Sequence, residues 1–313
     1  MNEKNNKDTK TLDIVKESNK VEKVAELDVL DKYRNKFVKE INIVRYISYG
    51  VAALTIAIVI VSYMVLMPLN AWAGIVPVII ALIGAGAFSF FSRRNQETKI
   101  QKYMSDYNDV INRHLTADFT VNDYFYDYRD GLKTKTFAQA NILEDVTESA
   151  SRNLNSYSYK DYKISNADFV AYKRDGKRLS SVFAGKLFST TRTKNVKNQV
   201  ILYLKPNKEV FKESGEPEIK HLEVAEDNDN YRIYATGKYK TVLPQKALDE
   251  ILKIERNDVL ADLTVSIVDN TVTVLLSYGK DIIAVPYKEP VPHLAIRKYI
   301  KDIGHILNFL DLI

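Results

Sequence analysis

The longest hydrophobic pattern in the chain is the run over residues 46–92, which contains no charged side chain and no histidine. A bilayer core of about 30 Å needs roughly 20 apolar residues per helical crossing, so the run is long enough for two crossings and a tight turn. Pro68 and Gly74 favour that turn near the middle of the run. The pattern predicts a transmembrane hairpin with crossings at about 46–67 and 74–92, and it places Pro77 in the opening turn of the second helix.

Apolar residues at three- and four-residue steps continue the helical pattern on both sides of this run. These residues are Leu30, Tyr33, Phe37, Ile41 and Val44 before it, and Ile100, Tyr103, Tyr107 and Leu115 after it. The two flanking helices are expected to pair as a stalk, the first of them starting near Val24. Residues 1–29 mix both charges with few aliphatic side chains, and we expect them to be a disordered tail.

The rest of the chain changes to the two-residue period of β-strands. We predict strands at about 124–128, 168–173, 179–188, 199–204, 219–224, 231–234, 263–268, 271–277 and 281–286, and helices at 135–143, 247–254 and 293–312. Asp175-Gly176 and Asp269-Asn270 mark tight hairpin turns. The fold class is therefore α+β, with a largely antiparallel sheet and a C-terminal helix. The predicted division is the tail (1–29), the juxtamembrane helix and hairpin (30–95), and a cytosolic stalk helix with the α+β domain (96–313).

Positive charge flanks both ends of the apolar run, whereas its central turn has none. The basic residues are Lys32, Arg34, Lys36, Lys39 and Arg45 before the run, and Arg93, Arg94, Lys99 and Lys102 after it. By the positive-inside rule, we expect a multi-pass protein of the cell membrane with both termini in the cytoplasm. The alternative of a buried hairpin in a soluble core is disfavoured by the length of the uncharged run.

Composition narrows the classes of function. The chain has no cysteine, which excludes disulfides, thiolate zinc sites and cysteine nucleophiles. The hairpin has no ionisable residue of the kind that marks proton relays and ion paths, so transport by this chain alone is disfavoured. Small residues at Gly50, Ala53, Ala57, Ala81, Ala85, Gly84 and Gly86 suit close helix packing. They are expected to join the two helices of the hairpin, with a homo-oligomer as the alternative.

Several stretches resemble an uncharacterised bacterial family of integral membrane proteins that carry a cytosolic domain of unknown function. They are FVAYKRDGKRLSSVFAGKLF, YRIYATGKYKTVLPQKALDEILKI, LTVSIVDNTVTVLLSYGKDIIAVP and the terminal ILNFLDLI. The chain departs from the family at EDNDN before Tyr231, where the family usually carries a phenylalanine-rich segment. The resemblance implies a membrane location and an α+β cytosolic domain, and it implies no particular reaction.

The strongest polar feature is a basic cluster between Asp168 and Gln199, where eight basic residues face two acidic ones. The candidate contacts with anionic lipid headgroups or a protein partner are Lys173, Arg174, Lys177, Arg178, Lys186, Arg192 and Lys194. Near a membrane, each such residue contributes about 1 kcal/mol to the binding of anionic lipid. The preferred interpretation from sequence alone is an ordinary solvated surface of strand faces and hairpin tips, because scattered charges on exposed strands are common. Nucleic acid is disfavoured because the chain has no recognised nucleic-acid-binding module.

The other sequence patterns do not indicate a catalytic, cofactor-binding or metal-binding site. Asp123 and Asp127 would share one strand face about 13 Å apart, too far to chelate one ion together. The four histidines lie in separate elements without zinc-type spacing. Gly185 interrupts a strand pattern, which indicates a bulge or a close backbone approach. We therefore assign no catalytic, cofactor-binding or metal-binding residue.

These patterns favour a membrane protein that anchors a cytosolic interaction or ligand-binding domain at the inner membrane surface. The alternatives are a membrane-tethered enzyme of unknown reaction and an accessory subunit of a transport assembly. Whether the chain is an enzyme stays open, with a non-catalytic role preferred. The partners implied are the lipid bilayer, anionic headgroups, and a protein partner or a second copy of the chain.

Overall fold

A computed structural model describes residues 3–143, 146–192, 195–205, 219, 221–256, 260–278 and 293–313. The described residues form two compact units, which meet along the chain between Tyr107 and Asn108. The first unit is helical, and the second contains a β-sheet with helices.

Two long helices make up the first unit. Helix α1 spans Glu3–Val61 and continues as a π-helical turn over Ser62–Leu66, and helix α2 spans Ala71–Phe119 and runs on into the second unit. Both are long and apolar enough to cross a membrane. In the most apolar 18 residues of each helix, only 6% of the residues are buried. A hairpin in the core of a soluble protein would bury most of these side chains, so the exposure does not fit that alternative.

The helix start at Ala71 corrects one detail of the predicted hairpin. The Asn70 side chain caps α2, because its Oδ1 accepts a hydrogen bond from the Trp72 backbone N–H at 2.9 Å. The helix therefore begins three residues before the predicted Gly74. Pro77 is then its seventh residue and lies inside the helix instead of in the opening turn.

The least exposed positions of the first unit recur at alternating steps of four and three residues. In α1 they are Phe37, Ile41, Val44, Ser48, Val51, Thr55, Ile58 and Ser62, and in α2 they include Gly74, Ala81, Ala85, Phe88 and Ser92. A repeat averaging 3.5 residues is typical of two helices packed along a shared seam. The apolar side chains between these positions face outward.

The parts of the two helices that flank the apolar run pair, as the sequence predicts. The ring of Tyr103 stacks on Phe37, with centroids 5.4 Å apart, and on Tyr33 at 6.1 Å. Lys99 Nζ lies 2.8 Å from Glu40 Oε2. Tyr103 and Tyr107 are fully buried, so an aromatic core joins the two helices next to the apolar run.

The small residues divide differently from the prediction. Ala81 and Ala85 are half-buried on the seam, whereas Ala53 and Ala57 are exposed. Added Cβ atoms at Gly50, Gly84 and Gly86 would meet no atom within 4 Å. These glycines and the two exposed alanines therefore do not join α1 to α2. The prediction was wrong for them, because the four-and-three repeat places other residues on the seam.

Helix α1 begins at Glu3, well before the predicted start near Val24. Residues 3–30 contain neither glycine nor proline, so nothing in this stretch interrupts the helical backbone. The disordered tail at 1–29 stays a prediction.

The second unit confirms the α+β class. Its elements are β1 (Val121–Asp127), α3 (Thr134–Gln139), β2 (Val146–Tyr159), β3 (Tyr162–Asp175), β4 (Arg178–Thr191), β5 (Val200–Leu204), β6 (Glu223–Asp227), β7 (Tyr231–Ala235), α4 (Gln245–Leu252), β8 (Leu260–Val268), β9 (Thr271–Tyr278) and α5 (His293–Leu312). A short 3₁₀ turn at Tyr239–Thr241 precedes α4. The strands form one sheet in the order β1-β2-β3-β4-β9-β8-β5-β7-β6, and all neighbouring strands are antiparallel.

Most predicted elements are present, and the main omission is β2. This strand reads VTESASRNLNSYSY, so it has few aliphatic residues to signal it. The strand predicted at 219–224 begins instead at Glu223. The strand predicted at 281–286 lies outside the described residues. The β3–β4 and β8–β9 hairpins turn at the predicted positions.

Helices cover both faces of the sheet. Leu187 and Phe188 are consecutive on β4 and therefore point to opposite faces. Leu187 belongs to the core under α3, which includes Phe137, Phe169, Ile201 and Leu275. Phe188 instead contacts the Tyr299 ring of α5, with centroids 6.5 Å apart. We call the side with Phe188 the α5 face.

Candidate functional site

A buried ion pair lies on the α5 face, in the middle of the sheet. Asp168 on β3 and Lys186 on β4 are direct cross-strand partners. Lys186 Nζ lies 2.8 Å from Asp168 Oδ1, and the lysine side chain is only 2% exposed. Such a charge is stable in the interior only when an opposite charge compensates it. The pair therefore neutralises Lys186 within the sheet.

The neighbouring residue Gly185 allows β4 to approach β9. A Cβ atom added at Gly185 would lie 2.0 Å from the Leu276 carbonyl oxygen. Any side chain there would separate the two strands. The sequence predicted a bulge or a close backbone approach at this glycine, and the close approach is confirmed.

A β-bulge in β2 brings a third polar group to Asp168. Between the pairs Arg152–Asp168 and Asn155–Asn166 the register shifts by one residue. Asn153 in the bulge has φ of 58°, a left-handed conformation that asparagine tolerates better than most residues. Its Nδ2 donates to Asp168 Oδ2 at 2.5 Å. The second oxygen of the carboxylate is thereby satisfied.

Tyrosines extend this network towards β1. The Tyr126 hydroxyl donates to Asn153 Oδ1 at 3.0 Å, and the Tyr124 hydroxyl donates to Asn155 Oδ1 at 2.6 Å. Burial raises the pKa of both hydroxyls, so both stay protonated donors at neutral pH. We call Asp168, Lys186, Asn153, Asn155, Tyr124 and Tyr126 the Asp168 network.

The chemistry available to the Asp168 network is limited by its own contacts. The Asp168 carboxylate accepts a hydrogen bond from Asn153 and forms an ion pair with Lys186, whose ammonium group is almost fully enclosed. A general base or a nucleophile needs an accessible lone pair within reach of substrate. These contacts instead fix how β2, β3 and β4 align with one another, so the Asp168 network has a structural role.

A second polar cluster connects helices α4 and α5. Glu250 Oε1 lies 2.9 Å from His305 Nδ1 and accepts from Asn308 Nδ2 at 3.2 Å. Lys253 Nζ lies 2.5 Å from Oε2 of the same carboxylate. Burial alone would raise the pKa of Glu250, but these donors outweigh it and hold the pKa at about 2. Glu250 is therefore a firmly ionised acceptor that ties the two helices together.

The aspartates of β1 do not form the shared face expected of them. Asp123 lies at an irregularity of the β1–β2 register and has φ of 53°, which breaks the simple alternation. Asp127 caps the following turn, where its Oδ1 accepts from the backbone N–H groups of Arg129 and Asp130. Among the residues that the structure describes, no three His, Asp or Glu side chains are grouped to hold a metal ion.

The predicted basic cluster is divided by the structure. Lys186 is enclosed by the ion pair with Asp168, and Arg192 is buried and donates to the Ile313 backbone carbonyl. Neither side chain presents its charge at the surface, so the structure removes both from the proposed lipid contacts. Lys194 lies outside the described residues.

The four remaining members of the cluster lie around the β3–β4 turn and are exposed; they are Lys173, Arg174, Lys177 and Arg178. Arg174 also forms an ion pair with Glu148 on β2. Sequence reasoning found these residues from charge alone. The sequence does not show that the Lys186 side chain points into the protein. That orientation depends on the alternation of side chains along β4 and on its cross-strand partner Asp168.

Comparisons with known proteins add little to this picture. No model of a protein family matches the chain, and no curated protein matches its sequence. Among solved structures, it is similar to the crystal structure of the mycobacterial trehalose monomycolate transport factor A, TtfA, with 11% sequence identity and a TM-score of 0.31. The match covers 62% of this chain and 93% of that one. A likeness at this level carries no information about function, and the resemblance to a bacterial membrane family stays a prediction.

Proposed function

We propose that this chain is an integral membrane protein that anchors a cytosolic interaction or ligand-binding domain at the inner membrane surface. The observation that carries the proposal is the uncharged run over 46–92, which forms two helices whose apolar side chains are exposed. Leu54 is 63% exposed and Ile83 is 67% exposed. In water this surface would aggregate, whereas the hydrocarbon of a bilayer solvates it.

The distribution of charge supports a cytoplasmic location for both ends. Basic residues lie on both flanks of the hairpin and none lies in its turn, and such residues are retained on the cytoplasmic side. The second unit follows the second crossing, and we therefore place it in the cytoplasm. This is the orientation that the bacterial family resemblance also implies.

The polar clusters of the second unit support a binding role over a catalytic one. The Asp168 carboxylate is compensated by the Lys186 ion pair and a hydrogen bond from Asn153, and the Glu250 carboxylate by His305, Asn308 and Lys253. Catalytic carboxylates are usually poised by incomplete compensation, which shifts their pKa towards the working pH. The shift of Glu250 is in the opposite direction.

Extraction with alkaline carbonate tests membrane insertion of the full chain. Wild-type protein is expected to stay in the membrane pellet. Replacing Leu54 and Ile83 by lysine should release it or prevent its accumulation there, because a central lysine costs about 3 kcal/mol on the insertion scale. The matched control is Val224→Lys with Leu294→Lys, which adds the same charges to exposed apolar positions of the second unit. Release of wild-type protein, or equal behaviour of both variants, would contradict the proposal.

A further inference from the structure

On its β4 side, the β3–β4 hairpin extends beyond the described part of the neighbouring strand β9. Pairing of β4 with β9 begins at Lys186, whereas pairing of β4 with β3 continues to Arg178. We call residues 168–184 of this hairpin the arm. Strand β2 pairs with the arm along β3, from Arg152 to Val146.

One side of the arm is packed against α3. The Phe137 ring stacks on Phe169 with centroids 5.2 Å apart and contacts Phe183 at 5.8 Å. Ala171, the cross-strand partner of Phe183, is fully buried. This packing holds the part of the arm nearest the centre of the sheet, and the turn at residues 175–178 lies beyond it.

The end of the arm combines positive charge with exposed apolar side chains. The six residues from Lys173 to Arg178 include four basic residues and one acidic residue. On the adjoining strand, Leu179 is 42% exposed and Val182 is 40% exposed. A basic surface beside isolated aliphatic side chains suits a membrane interface, where the charges meet phosphates and the aliphatic groups enter the headgroup boundary.

We propose that the end of the arm docks on anionic lipid headgroups of the membrane that holds the hairpin. This inference rests on the proposed function, because the two crossings supply the tether. Each basic residue near an anionic surface favours binding by about fivefold, which corresponds to about 1 kcal/mol. Three or four such residues bind weakly in free solution, but a tether raises the effective concentration of lipid and makes weak contacts sufficient.

Anionic lipid is favoured over an acidic protein partner because the same chain already places the domain at a lipid surface. Docking on lipid headgroups also needs no precise pocket. The exposed basic and aliphatic side chains at the end of the arm are therefore sufficient for it. An acidic protein would be bound independently of the lipid composition, and the experiment below separates the two.

The absence of native cysteine makes a site-specific probe straightforward. We would attach a fluorophore to the full chain through Ser180→Cys, an exposed position on the arm, and reconstitute it in nanodiscs. The nanodiscs would contain headgroup-quencher lipid in phosphatidylcholine, with or without phosphatidylglycerol. Quenching is expected to be strong with phosphatidylglycerol and weak without it. It should also fall as salt rises from about 0.1 M to 1 M, because the Debye length shrinks from about 10 Å to 3 Å.

Charge removal provides the matched comparison. Lys177→Gln with Arg178→Gln should lower the ratio of docked to undocked arms by about thirtyfold in phosphatidylglycerol nanodiscs. Lys238→Gln with Lys246→Gln removes the same charge from other exposed positions of the domain and should leave quenching unchanged. Equal quenching with and without phosphatidylglycerol, or equal loss in both variants, would overturn lipid docking alone. Failure of the chain to enter nanodiscs at all would instead overturn the proposed function and this inference with it.

Discussion

At the scale of single residues, the structure separates charges that look alike in the sequence. Lys177 and Lys186 belong to the same basic stretch, yet Lys177 is exposed and Lys186 is enclosed beside Asp168. The alternation of β4 and the partner on β3 make the difference. Charge counts along a sequence therefore overestimate the basic surface of this domain.

The contributions of Asp168 and Lys186 to the free energy of unfolding should depend strongly on each other. Lys186→Met is expected to destabilise the domain by about 3 kcal/mol, because it leaves a largely buried carboxylate without its counter-charge. Adding Asp168→Leu should recover part of that loss, since no unpaired charge then remains. The measurement is denaturant unfolding of the four proteins of the double-mutant cycle in detergent, followed by circular dichroism. Additive losses would show that the two side chains act independently, against the geometry.

At the scale of secondary-structure elements, the strands whose sequences alternate between hydrophobic and polar residues are predicted correctly. The β8–β9 hairpin carries regular alternation and an Asp-Asn turn, and the structure confirms it. Strand β2 lacks the alternation, because Ser, Asn and Arg occupy positions that a Val-rich strand would fill. Its place in the sheet depends on partners far along the chain, including Tyr126 and Asp168. A local sequence pattern contains no information about these long-range contacts. It therefore predicts neither strand β2 nor the Asp168 network.

The connection between α4 and α5 should be sensitive to acid. The pKa of Glu250 is about 2 in the folded protein, below the ordinary value of 4.5. The stabilisation from its ionised form is therefore complete above about pH 5 and is lost as the pH falls from 4.5 towards 2. Thermal melts of the detergent-solubilised chain should show that Glu250→Gln loses less stability than wild type over this interval.

Glu255→Gln is the control for this experiment. The Glu255 side chain is 75% exposed, and its Oε1 lies 3.6 Å from Lys301 Nζ at the surface. It should follow the wild-type acid dependence. An acid dependence of Glu250→Gln identical to wild type would contradict the role given to that carboxylate.

At the scale of the whole molecule, two compact units divide the tasks. The first has exposed apolar helices with basic flanks, and the second has an antiparallel sheet that encloses the Asp168–Lys186 ion pair. The sequence alone was sufficient for the hairpin, because length without charge is a strong signal. It did not reveal which polar residues meet, since that depends on strand register. The proposed membrane anchoring of a binding domain would account for both units together.

Labelling of single cysteines in intact cells tests whether the chain crosses the membrane twice with the sheet domain in the cytoplasm. Leu69→Cys lies in the exposed turn between the helices, and Ser180→Cys lies on the exposed arm of the sheet domain. A membrane-impermeant maleimide is expected to label Leu69→Cys in intact cells and to label Ser180→Cys only after permeabilisation. Labelling of Ser180→Cys in intact cells, or protection of Leu69→Cys until permeabilisation, would contradict that topology.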